Sequence, residues 1–297
     1  MQYTTRLHRR LQDSQVATGY LLGLNSPALA ELLVANVQLD FVGIDLQHAT
    51  STPADLVHML RSIQAADPQV TPLCRLPSHD AHWTQYALDA GCAGLVVPLV
   101  ESADQARQLV RAAYFPPKGC RSIAQSVRAS LYGDFVTQSN SQMILLPQIE
   151  SAVGLERVEE IVAVDGITGV LVGPGDLSLD CGWNGQKSWE FQPFLSAVKR
   201  VISTCRRHGK ISAILTDAAG SEPAAEAGFQ LVGVGCDQAF VRTRMASEVQ
   251  RTANAISGRP AGRVVLVGKD GASHTAEPAT PHSMSLDGRV HWQDGSR

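Results

Sequence analysis

The stretch MILLPQIESAVGLERVEEIVAVDGITGVLVGPGDLS, residues 143–178, decides how the chain is read. Its apolar run 143–149 predicts a buried strand, 155–162 a helical segment and 169–172 a second strand, together one βαβ unit. Parallel strands joined by a crossover lie side by side with a fixed hand, roughly 4.8 Å apart. Glu150 closes the first strand, and Asp176 follows the second in a tight Gly173-Pro174-Gly175-Asp176 turn. Both carboxylates are therefore expected to leave the same edge of the sheet, near enough to share one cation.

Outward from this unit, the pattern repeats. Apolar runs at 18–24, 41–46, 70–76, 94–100, 143–149, 169–172, 210–215 and 229–235 predict strands. Amphipathic stretches such as 26–35, 53–66, 83–90, 103–113, 191–208 and 218–227 predict the helices between them. Continuously apolar strands separated by helices are what a buried parallel sheet requires. Eight repeats point to a closed (β/α)8 TIM barrel rather than an open doubly wound sheet, and the usual barrel length of about 250 residues fits 1–256. From 257 to 297 the sequence turns rich in Gly, Pro, Ser and Thr, with β-like pieces at 263–267 and 289–292. That composition predicts a tail carrying at most a short hairpin, ordered by docking onto another subunit if at all.

Bulk properties exclude several functions. The 297 residues are 44% hydrophobic and 18% charged, with a formal net charge of −3 and no basic stripe. Nucleic acid is not an expected partner. No apolar run approaches the roughly 20 residues of a membrane span. The charged N-terminus MQYTTRLHRRLQD lacks the apolar segment of a signal peptide, so a cytoplasmic protein is expected. The six cysteines are scattered singly without a C-x-x-C pair, which predicts neither disulfides nor a zinc site.

Barrel chemistry sits at the C-terminal ends of the strands. There the second strand delivers Asp45, Gln47 and His48, the third Arg75, the fifth Gln148 and Glu150, and the sixth Asp176. Two carboxylates with water or substrate completing the shell suit a hard octahedral divalent ion, Mg2+, Mn2+ or Co2+. Such an ion can act as a Lewis acid, stabilising negative charge on an oxygen bound to it. His48 can move a proton at neutral pH. The bland alternatives are that Glu150 and Asp176 cap helices, that His48 packs, that Arg75 only pairs with Asp45, and that the Gly-Pro-Gly run is only a turn.

The segments FVGIDLQH (41–48), PLCRLP (72–77), LDAGCAGLVVPLVESADQAR (88–107), YFPPKGCRS (114–122), LPQIES (146–151), GPGDLS (173–178) and GKISAIL (209–215) resemble the HpcH/HpaI aldolase family of metal-dependent (class II) pyruvate aldolases. Examples are 4-hydroxy-2-oxoheptanedioate and 2-dehydro-3-deoxyglucarate aldolases. The matches run in family order from about Gly19 to Gln250. The resemblance implies a phosphoenolpyruvate/pyruvate-type barrel with Glu150 and Asp176 as metal ligands. It implies His48 as the acid–base histidine, Asp89 as its aspartate near a subunit contact, Arg75 as the arginine facing the enolate, and Asp45 as a supporting aspartate. Gln148 and the turn Gly173, Pro174 and Gly175 match substrate-binding positions, and Leu215 a position shaping the aldehyde pocket. A homo-oligomer, a hexamer or trimer of dimers with exchanged C-terminal helices, is also implied.

The chain departs from the family pattern at three positions. Gln47 stands where the family commonly has Glu, Ser122 where it has Gly, and Gly175 where it has Ala. The expected activity is a metal-dependent aldol cleavage or formation of a 4-hydroxy-2-oxo acid, from pyruvate or oxaloacetate and an aldehyde. Alternatives using the same metal and enolate are decarboxylation of oxaloacetate or macrophomate synthase-like bond formation. A barrel that binds keto acids without turnover is the reading from another class.

Overall fold

The computed structural model describes residues 4–123 and 134–257, together with three short strands beyond them. In chain order the elements are α1 (Arg6–Gln12), β1 (Ala17–Leu22), α2 (Pro27–Asn36), β2 (Phe41–Asp45), α3 (Pro53–Ala66), β3 (Thr71–Arg75), α4 (Ala81–Ala90), β4 (Gly94–Val97), α5 (Ala103–Ala113) and α6 (Phe135–Gln142). There follow β5 (Ile144–Ile149), α7 (Ala152–Glu156), α8 (Val158–Val162), β6 (Gly169–Val172), α9 (Pro174–Asp180), α10 (Gln192–Arg207), β7 (Ile211–Thr216), α11 (Ala218–Ala227), β8 (Leu231–Cys236) and α12 (Asp237–Ser257). The short strands are β9 (Val265–Val267), β10 (Ser273–Thr275) and β11 (Arg289–His291).

Strands β1 to β8 pair in sequence order, all in parallel, and β8 closes onto β1. This is the (β/α)8 barrel that the eight repeats predict. Alternation along each strand divides the apolar residues between two cores. Phe41, Leu73, Ile144, Leu146, Leu171 and Leu231 fill the lumen, whereas Val42, Ile44, Cys74, Val97, Leu145 and Val170 face the helices. Both sets are buried, so the strands read as continuous apolar runs. The lumen is narrow enough to demand glycine. A Cβ on Gly94 would stand 2.4 Å from the Ile144 carbonyl oxygen of the neighbouring strand.

Short helix α1, which the periodicity does not reveal, closes the end of the barrel where the strands begin. Leu7 is fully buried in the lumen core. Arg6 donates to the Leu39 carbonyl and pairs with Asp67 at 2.9 Å, while Arg10 pairs with Asp40 at 3.2 Å. His8 bonds the Gln142 carbonyl at 2.9 Å. The open end of the barrel is thus the one where the strands finish.

Two local expectations change. The segment expected as one helix over 155–162 is two short helices separated at Arg157, a C-cap of α7 with non-helical backbone. The Gly-Pro-Gly-Asp run is not a free-standing turn. Gly173 caps α9, Pro174 occupies its first position and Asp176 lies in its first turn. Proline suits that position because its missing N–H would have no partner within the helix.

The chain divides into two compact units, 1–237 and 238–297. The second unit takes almost all of α12 together with a three-stranded antiparallel sheet in the order β10-β9-β11. Leu266 in the central strand is opposite both His274 and Val290. The tail therefore carries one strand more than the hairpin expected from composition. Residues 124–133 and the remainder of the tail lie outside the described residues.

Candidate active site

Period-two alternation, continued to the ends of the strands, decides which polar side chains meet. On β2 the lumen-facing positions after Phe41 and Gly43 reach Asp45; on β3 the position after Leu73 is Arg75. These two residues are direct partners in the parallel register. Arg75 grips Asp45 through both carboxylate oxygens, Nε to Oδ1 at 2.8 Å and Nη2 to Oδ2 at 2.7 Å. Burial of an arginine is costly unless an anion satisfies its fork, and Asp45, 4% exposed, does so. The same Asp45 oxygen accepts the backbone N–H groups of Gln47, at 3.0 Å, and His48, at 3.4 Å. This folds the β2–α3 loop over the strand end and leaves His48 exposed on the rim.

On β5 the same alternation sends Gln148 and Glu150 inward after Ile144 and Leu146. Both are only 1% exposed. Glu150 Oε1 accepts the Leu99 N–H at 2.8 Å, and Oε2 accepts the side-chain amide of Gln148. Among the described residues no cationic side chain pairs directly with Glu150. Burial pushes its pKa up to about 7, against the pull of the Leu99 and Gln148 hydrogen bonds; the neighbouring charge of Asp176 raises it further and that of Arg75 lowers it. Asp176 is thus near enough to Glu150 for its charge to act on it.

Gly173 makes that approach possible. It follows β6, whose Val172 is opposite Ile149, and its N–H bonds the Ile149 carbonyl at 3.1 Å. A Cβ there would stand 2.6 Å from Glu150 Oε2 and 2.7 Å from Gln148 Nε2. By contrast, nothing lies within 4 Å of the place a Cβ would take on Gly175, so the start of α9 opens onto free space. Asp176 is exposed there. Leu215 on β7 lines a small lumen cavity that also reaches Arg75, Leu73 and Leu171.

Two features of this site bear on a metal ion. Glu150 is a buried carboxylate whose bonded partners are neutral, beside a second carboxylate. Gln148 Oε1 is buried with no hydrogen-bond partner, because the amide nitrogen is turned to Glu150. A hard cation with its coordinated water would supply both missing elements, positive charge for the carboxylates and a donor for the amide oxygen. No group of three or more His, Cys, Asp or Glu among the described residues is placed to hold a metal. A cation held here would therefore have to draw on the two carboxylates, with water or ligand completing its shell.

The structure brings Asp45, His48, Arg75, Gln148, Glu150, Gly173, Pro174, Gly175, Asp176 and Leu215 to the one end of the barrel. It does not bring Asp89 there within a single chain. Asp89 lies in the last turn of α4, whose cap at Gly91 leads directly into β4, so it stands at the opposite end. Its carboxylate pairs with Arg121 at 2.5 Å. Arg121 is buried, lies over the Phe115 ring and also bonds the Ser139 hydroxyl. Two contributors, Leu99 and Arg121, carry no signal in the sequence. Leu99 acts through its backbone N–H, which every non-proline residue carries, so its side chain gives no signal. Arg121 pairs over 32 residues of sequence, beyond any local pattern.

Comparisons with known proteins bear on the family and the fold. Residues 18–243 match the family model described as HpcH/HpaI aldolase/citrate lyase. A hydroxypyruvate/pyruvate aldolase of Paraburkholderia phytofirmans is 34% identical over 84% of this chain and 99% of its own length. The crystal structure of an HpcH/HpaI aldolase/citrate lyase family protein from Burkholderia cenocepacia superposes with a TM-score of 0.77 at 32% identity, covering 84% of this chain and 99% of that one. That of macrophomate synthase gives a TM-score of 0.74 at 27% identity, covering 87% and 93%. Among the described residues no helix is long and apolar enough to cross a membrane.

Proposed function

The chain belongs to the HpcH/HpaI aldolase/citrate lyase family, and from that premise we propose that it is a divalent-metal-dependent aldolase. It makes or cleaves the C–C bond of a 4-hydroxy-2-oxo acid, with pyruvate as the keto-acid partner and an aldehyde as the other. The observation that carries this reading is Glu150, a buried carboxylate beside Asp176 with only neutral groups bonded to it.

Glu150 and Asp176 would hold Mg2+, Mn2+ or Co2+. When bound, the ion supplies Lewis-acid stabilisation of negative charge on a keto oxygen. Arg75, fixed in orientation by the two-point grip of Asp45, places a permanent positive charge over the lumen, where an enolate oxygen gains charge. His48 stands on the exposed rim, able to take a proton from the hydroxyl of the departing aldehyde and return it in the reverse direction. Gln148 Oε1 orients a donor. Gly173, Pro174 and Gly175 leave the space in which the keto acid lies, and Leu215 forms the apolar wall beyond it. Asp89, held by Arg121 at the far end of its own barrel, would serve a site only in a neighbouring copy.

A homo-oligomer fits this requirement, and α12 exposes Val241, Met245 and Val249 at successive four-residue steps, one stripe suited to a partner. All six cysteines are free thiols, as suits a cytoplasmic enzyme.

The test is release of pyruvate from 4-hydroxy-2-oxo acids, measured by coupling to lactate dehydrogenase. Treatment with EDTA should abolish turnover and added Mn2+ restore it. Turnover that survives EDTA rejects the metal. The likeness to macrophomate synthase gives weight to a second outcome, in which oxaloacetate is decarboxylated with no exchange of aldehyde.

A further inference from the structure

The corner joining β4 to α5, residues 98–101, is tied at four points. His79 Nε2 donates to the Pro98 carbonyl. The Leu99 N–H donates to Glu150 Oε1 at 2.8 Å and the Val100 N–H to the Gln148 carbonyl at 3.3 Å. The Ser151 hydroxyl donates to the Glu101 carboxylate at 2.6 Å. Since a carbonyl oxygen only accepts, His79 carries its proton on Nε2. Every one of these bonds joins the β4–α5 corner either to the end of β5 or to the loop that follows Arg75.

Leu99 sits at the centre with φ of 52°, in the left-handed region that Cβ crowding makes unfavourable for any residue but glycine. Packing does not explain why it is held there, because its side chain is 49% exposed. The conformation instead achieves direction. It turns the N–H of Leu99 inward to the buried carboxylate while the following N–H stays in register with β5. Strained backbone at a functional site persists when its surroundings over-determine it, and the four ties do so here.

We propose that the Pro98–Leu99 corner is a positioning element for Glu150, with Leu99 as the residue whose left-handed backbone supplies the fixed donor. This rests on the reading of Glu150 as a metal ligand. With Oε1 held by Leu99 and Oε2 by Gln148, the carboxylate cannot spin about its last bond. Its free lone pairs have set directions before an ion arrives, so less freedom is lost on binding. His79 acts one step further out by holding the Pro98 carbonyl, and with it the turn.

The test separates backbone from side chain. Mn2+ affinity is measured from the EPR signal of the free ion for the wild-type protein and for Leu99→Gly, Leu99→Ala and Leu99→Val, each checked by thermal unfolding. Glycine adopts positive φ freely and β-branched valine least of all, so Leu99→Gly should bind Mn2+ at least ten-fold more tightly than Leu99→Val, with Leu99→Ala between. A packing role predicts the reverse order, since glycine removes the whole side chain. Equal affinities, or valine binding better than glycine, overturn the proposal. If Leu99→Val does not fold, tighter binding by Leu99→Gly than by Leu99→Ala supports it, and the opposite order overturns it. Wild-type protein that takes up no Mn2+ rejects the metal site itself and this inference with it, whereas normal wild-type binding with the wrong order rejects this inference alone.

Discussion

Asp45 and Arg75, opposite each other on adjacent parallel strands, form a two-point ion pair buried at the mouth of the barrel, with N···O distances of 2.8 and 2.7 Å. The same two bonds that satisfy the buried guanidinium also set its plane. Arg75→Ala should cost about 3–5 kcal/mol of stability, since it strands a buried aspartate. Arg75→Lys should recover part of that loss but not the turnover, which should remain roughly 100-fold down, as a point charge cannot reproduce the fork. Urea unfolding alongside steady-state kinetics separates the two effects.

Gly173 and Glu150 give a second prediction. A methyl group at 173 would stand within 2.7 Å of both Glu150 Oε2 and Gln148 Nε2, so Gly173→Ala must displace the carboxylate. Mn2+ affinity should fall by about 10–100-fold, the range for changes beside metal ligands, while the thermal transition stays cooperative. Calorimetric titration with Mn2+ reads the affinity directly; unchanged affinity would show that Glu150 is not a ligand.

His48 is exposed and its ring lies outside the ion pair that anchors its loop. Replacing it should therefore leave folding and metal binding intact. His48→Asn should lower turnover by about 100-fold or more, the contribution of a positioned acid–base group. The check is Mn2+ binding measured on the same preparation, which a disrupted loop would weaken and a lost proton carrier would not.

His8 controls a pH effect on stability at the opposite end of the barrel. Its Nε2 donates to the Gln142 carbonyl at 2.9 Å, so Nδ1 must be the bare nitrogen that accepts the Thr5 hydroxyl at 2.8 Å. Burial lowers its pKa, the Gln142 bond opposes this, and Arg9 lowers it further. The unfolded chain takes up a proton near pH 6.5 and the folded protein resists doing so until lower pH. The contribution of His8 is therefore complete above about 6.5 and is lost as the pH falls below it, by at most about 1.4 kcal/mol per pH unit. Urea midpoints should decline from pH 7 to pH 5, and His8→Gln should flatten that decline relative to the wild type.

How much of this was legible in advance follows from the range of each signal. The apolar runs at 41–46 and 143–149 announce buried parallel strands because both faces of β2 and β5 are covered. Asp45, Arg75 and Glu150 were legible for the same reason: a charged residue at the end of an apolar strand has few places to go. Helix α1 was not legible, since its seven residues are mostly polar and only Leu7 and Leu11 pack onto the lumen core. The Gly-Pro-Gly-Asp run carries turn residues that serve equally to start a helix, and α9 begins there because Pro174 and the cap at Gly173 suit a first turn.

The amino-acid sequence by itself determined the order of eight strands, the closed barrel and the identity of the acidic and basic groups at its mouth. Those depend on hydrophobic periodicity and on residue type, both of which are local. Only the tertiary structure decided that Leu99 offers its N–H to Glu150, that Gln148 turns its amide nitrogen inward and leaves its oxygen without a partner, and that Asp89 pairs with Arg121 at the far end. Backbone donors are common to nearly every residue, and ion-pair partners come from distant segments, so neither is fixed until the chain has folded.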